Sequence, residues 1–217
     1  MSYAMIHLRI AQNILRSEAR IKDKRAFMLG AVAPDAVHYR KDYHKGMKFD
    51  SHLCVGHEEW GAITNNIEWQ ENVSRFMNSM KLEEDVDFLY GYCVHILTDI
   101  HNNIKVWMPF KKRIENDDTP GIGKRYQIES NAMDLLLYQQ GESNEIWGLL
   151  ENALAQGVAT LVDRVEVDCV RADLLTNRFA NRVADDVKKH KYVRVLETEL
   201  FIETGTQFVK DVLFRGE

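Results

Sequence analysis

Apolar and polar positions follow a helical period along almost the whole chain. Met5, Leu8, Ala11, Ile14 and Leu15 recur three and four residues apart, which places them on one face of a first helix. A second, shorter helix is predicted over 24–32. It ends at the Ala33–Pro34 step, because a residue before proline avoids helical backbone angles. Residues 36–56, AVHYRKDYHKGMKFDSHLCVG, have no clean period. Polar, basic and aromatic, they read as one long loop. The helical pattern resumes over 58–80 and again over 84–106. The Asp, Pro and Gly content of ENDDTPGIGK (115–124) predicts another loop, and helices follow near 125–140, 144–156, 163–188 and 192–214. No strand pair, repeat or low-complexity tract is evident. The expected fold class is all-α, a single domain over 1–217 built as an irregular helical bundle.

Composition narrows the picture. At 217 residues and 45% hydrophobic, the chain can bury a sizeable core. A net charge of −5 gives no bulk reason to bind nucleic acid. The three cysteines, Cys54, Cys93 and Cys169, are too few and too far apart for a disulfide framework, which points to a reducing compartment. His7, Arg9, Gln12 and Asn13 interrupt the N-terminal apolar stretch, so no secretory signal is expected there. No apolar run is long enough to predict a transmembrane segment, and the expected location is cytoplasmic.

One stretch breaks the apolar pattern in an informative way. YGYCVHILTDIHNN (90–103) is the middle of a helix apolar nearly all round, yet it carries His95 and Asp99. Four residues apart, they leave the same helix face one turn from each other. A bare carboxylate in a core is costly unless it meets a cation or several donors. A divalent metal would satisfy imidazole and carboxylate together. Hydrogen bonds to backbone or to an arginine would also serve. Other candidates accompany the pair. His7 lies on the apolar side of the first helix, Asp35 follows Pro34, and His52 closes the long loop in FDSHLC. Seven of the eight histidines lie at or before residue 101, so the first half of the chain would build most of any metal site.

The order His, Asp, His, then His-x-x-x-Asp carries a resemblance. With IHLRIAQNIL, FMLGAVAPDAVHYR, SHL and FLYGYCVHILTDIHNN, the chain resembles the zinc-dependent phospholipase C family, whose helical domain is shared with single-strand nucleases. The likeness covers roughly residues 5–107, and its most specific parts are Gly-x-x-x-Pro-Asp and Gly-x-x-x-His-x-x-x-Asp. It implies that Asp35, His52, His95 and Asp99 hold one zinc, and that Asp99 bridges to a second metal at His7. It further implies a water activated by metal, with Asp35 and Asp99 in the catalytic role, acting on a phosphodiester. Where secreted members carry a further histidine ligand, six residues after the bridging Asp, this chain has Lys105, and it has no histidine between 102 and 189. Glu129 and Asp134 are the available substitutes for that third site, and His38 or His44 could replace His52 as the loop ligand. One or two metals are therefore expected rather than three.

The remaining expectations follow from position. Arg40, Lys41, Lys45 and Lys48 lie between Asp35 and His52, where a closing loop would present them to a phosphate. His57 could extend the site. His101, two residues after Asp99, should face elsewhere, and His190 in KKHK reads as part of a solvated basic run. The function expected is metal-dependent hydrolysis of a small phosphoester or phospholipid head group, with zinc as cofactor. The alternative is a helical domain that keeps a structural metal or binding role. Metal phosphohydrolases with adjacent His-Asp ligands are disfavoured, because no such dipeptide occurs.

Overall fold

The computed structural model describes residues 3–54, 61–80, 86–115, 117, 119–180, 182–183 and 186–215. Over these residues the chain is all-α, with an isolated bridge between Val158 and Val162 as its only extended pairing. The helices are α1 (Ala4–Ser17), α2 (Lys24–Gly30), α3 (Lys45–Ser51), α4 (Asn66–Met80), α5 (Val86–Asn102), α6 (Met108–Ile114), α7 (Ile122–Gln139), α8 (Asn144–Glu151), α9 (Arg164–Thr176) and α10 (Val195–Leu213). A 3-10 helix, Ala33–Tyr39, joins α2 toward α3. No described helix is long and apolar enough to cross a membrane.

The fold is organised on α5. Every residue from Gly91 to Asn102 is buried, because α1, α2, α4 and α10 all pack against this helix. The apolar stripe of α1 meets it as the spacing predicts, with Met5, Leu8, Ala11 and Ile14 fully enclosed. The tightest crossing is between α2 and α5. A Cβ on Gly30 would lie 2.1 Å from the Phe88 carbonyl oxygen, and one on Gly91 would lie 2.0 Å from that of Phe27. Only glycine at both positions allows the two backbones to touch.

The structure corrects several sequence expectations. Residues 36–54 are not one loop: the 3-10 helix runs to Tyr39 and α3 occupies Lys45–Ser51. The period was hidden because α3 turns a lysine inward, with Lys48 only 7% exposed. The helix predicted from residue 58 begins at Asn66, and residues 55–60 lie outside the described set. The helix predicted over 163–188 stops at Thr176. The central helix does not end near Val106. Past Asn102 it widens into a π turn, Asn103–Trp107, and continues as α6. Pro109 lacks the N–H that would close the next i→i−4 bond, and the wider turn accommodates that loss.

Candidate metal centre

Four elements deliver the predicted ligands to one point: α1 brings His7, the 3-10 helix Asp35, the C-terminal cap of α3 His52, and α5 both His95 and Asp99. The ligand atoms form two groups that share His95. Those of His7, His95 and Asp99 lie within 4.8 Å of one another, and so do those of Asp35, His52 and His95. Asp99 faces both groups. Its Oδ1 is 3.6 Å from His7 Nε2, and its Oδ2 is 3.7 Å from His52 Nε2 and 3.9 Å from His95 Nε2. His52 Nε2 and His95 Nε2 lie 3.5 and 3.9 Å from Asp35 oxygens.

Local structure fixes each ring. The close α2–α5 crossing sets His95 Nδ1 2.9 Å from the Ala31 carbonyl oxygen. A carbonyl only accepts, so Nδ1 carries the proton and Nε2 keeps its lone pair toward the cluster. His52 is treated likewise. The Ser51 hydroxyl donates to the Lys48 carbonyl, which leaves its oxygen to accept from His52 Nδ1 at 2.9 Å. The turn carrying His52 is held by the Tyr92 hydroxyl on the Ser51 carbonyl (2.5 Å) and by the Trp69 indole N–H on the His52 carbonyl (2.7 Å). Leu53 follows with φ 53°, a left-handed conformation that costs a branched residue energy, and the Asn72 amide caps its carbonyl at 3.0 Å. His7 stacks face to face on His95, ring centroids 3.7 Å apart.

The electrostatics suit a cation. Burial lowers the imidazole of His7 to about 3 and that of His52 to about 4, so both are neutral at physiological pH. Burial alone would raise the carboxyl of Asp99, but in acid, where the surrounding imidazoles take up protons, their charge, His7's first, outweighs burial and holds the carboxyl below the usual carboxylate range. For Asp35, burial is likewise outweighed, first by the Lys48 ammonium and then by the adjacent His38 and His52 rings. Neutral imidazoles beside ionised carboxylates are the protonation states that metal ligation requires. His7 Nδ1 and Nε2 and His95 Nε2 are buried with no hydrogen-bond partner among the described residues. Orphaned buried ring nitrogens of this kind are uncommon in a core, and a divalent cation fits the lone pairs among them.

Other expected residues stand apart from the ligands. Lys48 does not project to solvent: its ammonium lies 2.9 Å from Asp35 Oδ1 and 3.4 Å from His38 Nε2. Arg40 turns away. Its guanidinium grips Glu166 and the Leu161 carbonyl, locking the 3-10 helix to the capped start of α9. Lys41 and Lys45 are exposed, with no described contact to the cluster. His38 is half-exposed beside Asp35, 3.5 Å away, on the outer side of the site.

Glu129 is occupied elsewhere. It accepts the backbone N–H groups of Lys191, Tyr192 and Val193 and pairs with Arg125. Asp134 accepts from the Met5 backbone N–H at 2.8 Å and caps α1. Both read as candidate ligands because a carboxylate in an apolar helix signals burial, not the nature of its partner. His101 faces α10, packed on Phe201 and Phe208, as its angular position predicts. His44 is exposed at the start of α3, and His57 lies outside the described residues. His190 is not solvated. It is 7% exposed and bonded to the Val193 carbonyl.

The cluster is enclosed except at Asp35, whose side chain is 28% exposed while Asp99 is at 4%. On the far side a cavity of about 20 Å³ touches Asp99, lined also by Ile63, Trp69, Asn102 and Asn103. That is room for about one water. Sequence reasoning missed the supporting residues Ala31, Ser51, Trp69 and Tyr92. Backbone carbonyls have no sequence signature, and the two aromatics look like ordinary core. No family model, curated protein or solved structure matches this chain.

Proposed function

We propose that this protein is a metal-dependent hydrolase of phosphate esters, acting on phosphodiesters by activating water. The observation that carries the reading is the convergence of His7, Asp35, His52, His95 and Asp99 from four separate elements into two overlapping ligand groups. Bound there, zinc or a similar divalent ion would lower the pKa of water and neutralise charge on phosphoryl oxygens. The residues divide the remaining work. Asp99 offers one oxygen to each group, as a bridging carboxylate must. The Ala31 carbonyl and Ser51 hydroxyl hold His95 and His52 with Nε2 forward, the kind of outer support that ligand histidines need. Asp35, the most open ligand, marks the side from which a substrate head group would approach. Lys48 holds a fixed positive charge beside it. The substrate class is a small phosphoester or a phospholipid head group.

One observation favours the rival reading of a structural site without catalysis: the Lys48 ammonium already compensates Asp35. A single experiment separates the two. The protein is stripped with chelator, reloaded with zinc and assayed on an activated nitrophenyl phosphodiester across pH, beside His95→Ala. The hydrolase reading expects activity that rises toward neutral pH, disappears on stripping, returns with zinc and falls at least about a hundredfold in the variant. A zinc-loaded protein inert toward diesters and monoesters alike would leave only the structural role.

A further inference from the structure

The chain is acidic overall, but its charge is unevenly placed. Residues 105–113, KVWMPFKKR, and 188–194, KKHKYVR, carry eight Lys and Arg and no carboxylate, against a net charge of −5 for the whole chain. The fold puts the two segments side by side. Phe110 of α6 meets Tyr192 edge-on at 5.6 Å, and Glu129 pins the backbone of 191–193 to α7. Between them opens an apolar cleft of about 620 Å³, floored by Val106, Phe110, Tyr126, Met133 and Phe201. Lys105, Arg113 and Arg194 stand at its rim with one carboxylate, Glu197, which pairs with Arg194 at 3.6 Å. On α10, Leu200 lines the cleft at 57% exposure, and Leu196, one turn earlier on the same face, is 76% exposed.

We propose that this face docks on an anionic lipid bilayer and that the cleft receives an acyl chain. A single small anion would need one or two cations. Here Lys189 pairs with Asp186 at 3.3 Å and Arg194 with Glu197, and the other six, spread across two segments, match a surface bearing many negative charges. Exposed leucines beside an apolar cleft add a hydrophobic component that a purely polar polyanion would not use. A nucleic-acid surface would present rings for base stacking. Here Phe110 and Tyr126 are packed on each other at 4.5 Å and are nearly buried, the partly exposed Tyr192 is set edge-on against Phe110, and the cleft's most exposed large apolar side chain is Leu200. The proposal does not depend on the metal centre or on any activity.

The test is flotation of the full chain with phosphatidylcholine vesicles, with and without phosphatidylserine, over a range of salt. Binding is expected only with phosphatidylserine, and added salt should release it by screening the surface charges. Lys112→Ala combined with Lys188→Ala should weaken partitioning on the order of thirtyfold, about fivefold for each lysine near the surface. Leu200→Ser should weaken it further, while Arg16→Ala with Arg75→Ala, an equal loss of charge elsewhere, should leave it within about twofold. Unchanged melting temperatures would establish that the variants are folded. The proposal is overturned by absence of flotation at low salt, by equal binding to neutral vesicles, by equal losses in the two charge pairs, or by binding to DNA in place of vesicles.

Discussion

At the residue scale, the site depends on which nitrogen of each histidine is protonated. The Ala31 carbonyl and the Ser51 hydroxyl make that choice for His95 and His52. Asp99 then lies at the junction of the two ligand groups. Asp99→Ala is expected to lose bound metal and to melt lower than wild type loaded with zinc, whereas His101→Ala, which faces α10, should keep its metal. Elemental analysis beside melting curves checks both. Asp134 gives an independent test of burial. Burial pushes its carboxyl up to about 7, against the Met5 N–H and the more distant Arg178 and Arg182. A carboxyl whose folded pKa exceeds its unfolded value favours the fold when protonated, so stability is lost as pH rises from the unfolded value through about 7. The melting temperature of wild type relative to Asp134→Asn should therefore fall between pH 5 and pH 8. A constant difference over that interval would show that Asp134 titrates normally.

At the element scale, the spacing of His95 and Asp99 predicted a shared helix face, and α5 provides it. His7 was legible for a similar reason, as an imidazole on an apolar stripe. The register of α2 against α5 was not legible, because close packing between helices distant in sequence depends on both at once. Gly30 and Gly91 show how it works: their missing side chains let the backbones touch, and that contact brings Ala31 to His95. Gly91→Ala should destabilise the fold by about 2 kcal/mol or more and weaken metal retention, since a Cβ there would meet the Phe27 carbonyl oxygen. Denaturant midpoints of the zinc-loaded proteins measure the first effect and metal content the second. A variant as stable as wild type would mean that α2 can shift freely. The short α3 escaped sequence reasoning because its inward residue is a lysine, and an ammonium paired with a buried carboxylate looks in sequence like a surface charge.

At the scale of the whole molecule, the all-α class was legible because helical periodicity dominates the chain. How its parts come together was legible only in the first half, where histidines and aspartates accumulate. Residues from α6 onward supply the cover over α5 and the basic cleft, and their roles follow from packing, not from any local pattern. The account rests centrally on the cluster of His7, Asp35, His52, His95 and Asp99 being a metal centre. The most direct measurement is the zinc stoichiometry of the stripped and reconstituted protein, wild type beside His7→Ala, by elemental analysis after removal of free metal. The account predicts on the order of one to two zinc ions per chain in wild type, a lower content in His7→Ala, and a higher melting temperature for each when loaded. A wild-type protein that retains no zinc, and whose melting is the same with and without it, would contradict the account.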